Sequence, residues 1–153
     1  MKDFSKEIMQ VEKAGNEIFW QGAASVDQIK TLENALDLIL PEDFCDFLKT
    51  YGGGGVISEE ISGIESNDAT LTNGGTVYGD TLEVRKRFQL PQKLAVVVWE
   101  NDEICWCLDC TQASTKLSDV KIVNYNIFTR KVDVIISNNF ERFFAQYLEL
   151  RSQ

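Results

Sequence analysis

Phe44, Phe47, Leu48 and Tyr51 fall at i, i+3, i+4 and i+7, and no other local feature restricts the fold of this chain as tightly. That spacing puts four large apolar side chains on one helical face, and no strand register would bury them together. Leu40-Pro41 opens the segment; proline suits the first turn of a helix, where a backbone N–H has no intrahelical acceptor. Gly52 supplies the stop, because glycine tolerates the left-handed conformation that ends many helices. A closing helix is predicted by the same logic near the end of the chain. There Phe140, Phe143, Phe144, Tyr147 and Leu148 form a broad aromatic stripe behind a cap at Asn138-x-x-Glu141. Aromatic side chains at this spacing belong to a core, so Leu40, Phe44, Phe47, Leu48, Phe140, Phe143, Phe144 and Tyr147 are the expected core residues.

Further elements are read around these two. Phe4, Ile8 and Val11 make the stripe of a first helix that ends near Gly15-Asn16, and the apolar piece Ile18-Phe19-Trp20 follows. Ser25-x-x-Gln28 has the form of a capping box, with Ile29, Leu32 and Leu36 on one face behind it. The run Gly52 to Gly55 lacks the Lys-Ser/Thr ending of a phosphate-binding loop and follows a helix, so it reads as a flexible stop and turn. Val56 to Ile64 holds a strand or two, and Asn73-Gly74-Gly75 marks a loop. Thr76 to Phe88 is predicted helical, with Leu82, Val84 and Phe88 inward and Arg85, Lys86 and Arg87 outward; Leu90-Pro91 ends it. The second half then reads as antiparallel sheet: Leu94 to Trp99, the polar turn Glu100 to Glu103, Ile104 to Asp109, Val120 to Tyr125, and Arg130 to Ile136. With no internal repeat and no Pro-rich linker, residues 1–153 form one α+β domain. Its helices pack against a mainly antiparallel sheet of about four to six strands.

The chain contains no histidine. This removes the commonest general base, the Ser-His and Cys-His nucleophile pairs, and the commonest metal ligand. Cys105, Cys107 and Cys110 are spaced like part of a metal knuckle, without the paired two-residue gaps of a zinc ribbon. In a strand Cys105 and Cys107 share one face and Cys110 falls on the other, so a fourth ligand would have to come from Cys45 or a carboxylate. The four cysteines are expected to be reduced structural thiols. No catalytic residue, cofactor site or metal site is expected.

The longest apolar runs, Leu38 to Leu40 and Leu94 to Trp99, are far below the roughly 20 residues of a membrane span. The N-terminus, with Asp3 and Glu7 between its lysines, has no signal-peptide pattern, and a cytoplasmic location is expected. The net charge is −9, and two stretches hold all of it. Gly52 to Asp80 carries −5 and Leu94 to Thr115 carries −4, each without a single Lys or Arg. A surface of this sign repels nucleic acid and favours encounter with basic partners. Glu59, Glu60, Glu65, Asp68, Glu100, Asp102 and Glu103 are the expected partner-binding residues; as a bland alternative, they only solubilise the protein.

Leu40-Pro41 with Phe44, Phe47-Leu48 and Tyr51-Gly52-Gly53 resembles the signature of the SUKH superfamily. So do the strand-turn-strand from Val96 to Cys107-Leu108-Asp109, the strand Val120 to Tyr125, and Ser137-x-x-Phe140-x-x-Phe143-Phe144. The likeness covers about residues 25 to 150. The chain departs from the pattern at Asn101-Asp102-Glu103, where a glycine is frequent, and at Asn124-Tyr125-Asn126, where Tyr-Asp is frequent. The resemblance implies helices packed on an antiparallel sheet, with no active site. It implies either an immunity protein that blocks a cognate toxin, often a nuclease from a contact-dependent or secreted bacterial system, or an interaction scaffold of the kind that regulates cell-wall synthesis. The immunity reading is preferred, with a monomer or weak dimer as its form. An enzyme or metal protein built on the cysteines or on paired carboxylates is the third class.

Overall fold

A computed structural model describes residues 1–153. The helices are α1 (Ser5–Lys13), α2 (Val26–Leu36), α3 (Glu42–Thr50), α4 (Val77–Phe88) and α5 (Phe140–Arg151). The strands are β1 (Ile18–Trp20), β2 (Gly54–Val56), β3 (Leu94–Glu100), β4 (Ile104–Asp109), β5 (Ile122–Asn126) and β6 (Lys131–Ser137). Strands β3-β4-β5-β6 make an antiparallel meander in that order, and β1 pairs with β2 in a separate two-stranded ribbon. The α+β class is as the sequence predicts, with the expected strands divided between two sheets.

Alternation along the meander builds two cores. Ala95, Leu108 and Ile122 face the large one, a cluster of 29 buried residues closed by the apolar stripes of α1, α2, α3 and α5. Val96, Cys105, Cys107, Val123 and Tyr125 face the other way, into a smaller cluster covered by Val84 of α4. All eight expected core residues are buried. Phe44, Phe47, Phe140 and Phe144 interlock as ring pairs with centroids 4.9 to 6.1 Å apart, within the range where aromatic contacts are favourable.

Several details differ from the sequence reading. The glycine run is packed, not flexible. Its four residues hold φ between 76° and 135°, and a Cβ at Gly52, Gly53 or Gly54 would strike the backbone of Gly22, Gly63 or Phe19. Between Val56 and Ile64 no further strand forms; single bridges, Gly54 to Ile61 and Gly63 to Thr76, stand in for one. Pro41 is the cap before α3, one residue earlier than a first-turn proline. Ser25 Oγ accepts the Gln28 N–H as predicted, but the Gln28 side chain does not return to Ser25. It accepts the Ala69 N–H instead and ties down the loop after Glu65. Asn139, not Asn138, caps α5, its side chain accepting the Arg142 N–H at 2.8 Å. On α4 the buried face is Val77, Asp80, Thr81 and Val84, while Leu82 and Phe88 are only half-buried. Arg85 folds back across the chain, donating to the Leu36 and Gln92 carbonyls.

Candidate functional site

The segment after β2 is anchored by strand β3 and helix α5. Ser62 N–H donates to the Val97 carbonyl of β3 at 2.8 Å. The Tyr147 hydroxyl of α5 accepts the Val56 N–H and donates to the Glu59 carbonyl. These bonds bend residues 57–65 over the ends of β3 and α4 and leave a cleft of about 460 Å³. Glu60 and Glu65 of the segment, Asp80 of α4 and Glu100 at the end of β3 all line it. Phe19 of β1 and Trp99 of β3 are its two hydrophobic residues, and none of its twelve lining residues is basic.

Asp80 is the least ordinary of these groups. It is 2% exposed, and none of the six ion pairs in the molecule includes it. Its Oδ2 accepts the Ser62 hydroxyl at 2.6 Å, and its Oδ1 takes only a long bond from the Gly75 N–H at 3.4 Å. Burial pushes its carboxyl up to about 6; the two hydrogen bonds restrain that rise and nearby Glu83 adds to it. Glu100 is raised too, first by burial and then by the negative charges of Glu59 and Glu60, with Arg151 opposing. Beside Asp80, Gln21 donates from Nε2 to the Gly75 carbonyl at 2.9 Å, while its enclosed Oε1 meets no donor.

The seven residues expected from charge alone separate in space. Glu60, Glu65 and Glu100 converge on the cleft. Glu59 sits near them and is paired with Arg151 at 3.0 Å. Asp68, Asp102 and Glu103 do not line it. Asp68 caps its own turn through the Thr70 N–H and hydroxyl, Asp102 pairs with Arg87 at 3.3 Å, and Glu103 is exposed on the β3–β4 turn. Asp80, Gln21, Phe19 and Trp99 were not singled out from sequence. A signal for Asp80 existed, since it shares the i, i+3, i+4, i+7 face of Val77, Thr81 and Val84 that the helix buries.

A second surface is apolar. Val132, Val134 and Ile135 are exposed along β6, the outermost strand, whose free edge bears unpaired backbone groups, and Phe128 is exposed on the turn before it. The cysteines build no comparable site. All four are buried and free; Cys105 and Cys107 touch at 3.6 Å in the small core while Cys110 lies in the large one. No group of three or more Cys, Asp or Glu side chains is disposed to hold a metal ion. No helix is long and apolar enough to cross a membrane. The SUKH_5 family model, described as SMI1-KNR4 cell-wall, matches residues 3–149, all but six positions of the chain.

Proposed function

The chain belongs to the SUKH superfamily, in its SMI1-KNR4 family, and from that membership we propose that it is a non-enzymatic immunity protein that binds and neutralises a cognate protein toxin. One observation carries the reading: an acidic cleft free of basic residues, held open by backbone and hydroxyl bonds from β3 and α5. Such a surface complements a positively charged one. A nuclease toxin needs positive charge to hold phosphate, so covering that charge excludes its substrate. On this reading the protein acts in the cytoplasm as a monomer or weak dimer, without cofactor, nucleic acid or membrane.

Co-purification from the native host, with the partner identified by mass spectrometry and then expressed alone and together with this chain, tests the proposal. The expected result is a basic protein that arrests growth alone and is harmless in co-expression. A partner with no toxicity would replace the immunity role by that of an interaction scaffold. A partner whose binding is lost on substitution of Val134 and Ile135, with the cleft irrelevant, would move the contact to the β6 edge.

A further inference from the structure

Within the acidic cleft, and resting on the reading that this face meets a basic protein, we propose a socket for one arginine side chain of the partner, with Asp80 as its floor and Phe19 and Trp99 as its aromatic walls.

The cleft is more than a patch of charge. Its deepest carboxylate, Asp80, is almost wholly withdrawn from water and has no cation, yet its only close donor is a neutral hydroxyl. Next to it an enclosed acceptor, Gln21 Oε1, has no donor at all. Asp80 and Gln21 both line the concavity, and Asp80 Oδ1, reached only by the 3.4 Å bond from Gly75, is the acceptor that a ligand rich in N–H donors would pair. A buried carboxylate with one short and one long hydrogen bond is under-satisfied, and a ligand that adds donors to it recovers that cost on binding.

The walls select the cation. Phe19 is 60% exposed despite sitting in a strand, and the Trp99 ring is braced edge-on by Phe88 and by a bond from its Nε1 to Glu83. Guanidinium is planar, stacks on aromatic faces and is weakly hydrated, and it offers five donors in a rigid fork. An ammonium is compact, strongly hydrated and has three donors. A metal ion is disfavoured, because the carboxylates are not grouped closely enough to ligate one. Glu60, Glu65 and Glu100 stand above the floor, so the guanidinium is drawn in by charge and then held by Asp80.

The test is a titration of the intact protein with the peptide acetyl-Gly-Arg-Gly-amide. Its counterparts carry lysine or neutral citrulline in place of arginine. Binding is followed by two-dimensional amide and indole NMR. Saturable shifts of the Trp99 indole, the Gln21 side-chain amide and the Gly75 amide are expected with arginine, weaker with lysine and absent with citrulline. Asp80→Asn, checked for folding by circular dichroism, should weaken arginine binding at least about tenfold. Glu100→Gln serves as the second variant, with a smaller loss. No saturable response to arginine, an equal response to citrulline, or unchanged affinity in Asp80→Asn would each overturn the socket. The two readings fail separately. A toxin captured and neutralised equally well by Asp80→Asn leaves the immunity role and removes the socket. Arginine binding that depends on Asp80, without any toxin partner, does the reverse.

Discussion

The Tyr147 hydroxyl donates to the Glu59 carbonyl at 2.9 Å while accepting the Val56 N–H at 2.8 Å, so the closing helix fixes the start of the acidic segment. Tyr147 is buried, and burial pushes its hydroxyl up to about 12, which keeps it protonated and able to donate at neutral pH. Tyr147→Phe leaves a buried N–H and a carbonyl unpaired at a cost of about 1–3 kcal/mol. Hydrogen exchange checks this more sharply than melting. The Val56 amide should lose protection while the amides of β4 and β5 keep theirs. Uniform loss across the sheet would show that the bond supports the whole fold and not the segment.

Phe144 touches Phe4, Phe47 and Tyr51 in the large core and is fully buried. Phe144→Ala should cost on the order of 3–5 kcal/mol in chemical denaturation. Leu150, on the same helix but 70% exposed, is the control, and its alanine variant should stay within about 0.5 kcal/mol of wild type. Equal losses at the two positions would contradict the burial.

Asp80 predicts a pH dependence with a definite sign. Its pKa rises from 3.8 in the free chain to about 6 in the fold, so between those values the folded state binds more protons than the unfolded one. Stability from this group is therefore complete below 3.8 and is lost as pH rises through about 6. The loss amounts to about 3 kcal/mol at neutral pH. Asp80→Asn removes this slope, and the other carboxylates cancel in the comparison. The melting temperature of the variant relative to wild type should climb across that window. A flat difference from acid to neutral pH would refute the account.

Once a partner is in hand, Glu60→Lys should lower its on-rate on the order of tenfold at low salt, with the gap closing as salt is added. Asp102→Lys should do less, because Asp102 is already paired with Arg87 outside the cleft. Stopped-flow association of both variants at two ionic strengths decides this. Equal effects would mean that net charge, not the cleft, governs encounter.

The thiols should be inert. Burial pushes Cys45 up to about 11 and Cys110 up to about 12, and raises Cys107 as well, so almost no thiolate exists at neutral pH. A colourimetric thiol reagent should label none of them in the native protein and all four after denaturation. Rapid labelling of native Cys45, which lies 3.7 Å from Lys116 Nζ, would show that the surrounding loop opens readily.

Helices α3 and α5, the meander and the SUKH resemblance were legible in the sequence because each depends on periodicity within a dozen residues or on motifs kept in order. A 3.6 or 2.0 repeat states which side chains must leave water, and the fold meets that demand for Phe44, Phe47, Phe140 and Phe144 in one cluster. Local chemistry that offers near-equal choices was less legible. Neighbouring asparagines compete for the cap of α5, and Asn139, directly before the buried Phe140, takes it. The glycine run gave no sign of its neighbours; only the approach of Gly22 and Gly63 shows why no Cβ is allowed there. Charge placement in sequence located the acidic segments but could not say which carboxylates meet. Glu60 and Glu100 come together across forty residues, and Asp102 does not join them, because strand β3 and its turn point the two side chains to different neighbours. Asp80 shows the limit most clearly. Helical spacing alone puts it on the buried face of α4, but whether that burial is a defect or a floor depends on Ser62, Gln21 and Gly75, three residues from separate loops that only tertiary closure brings to its side.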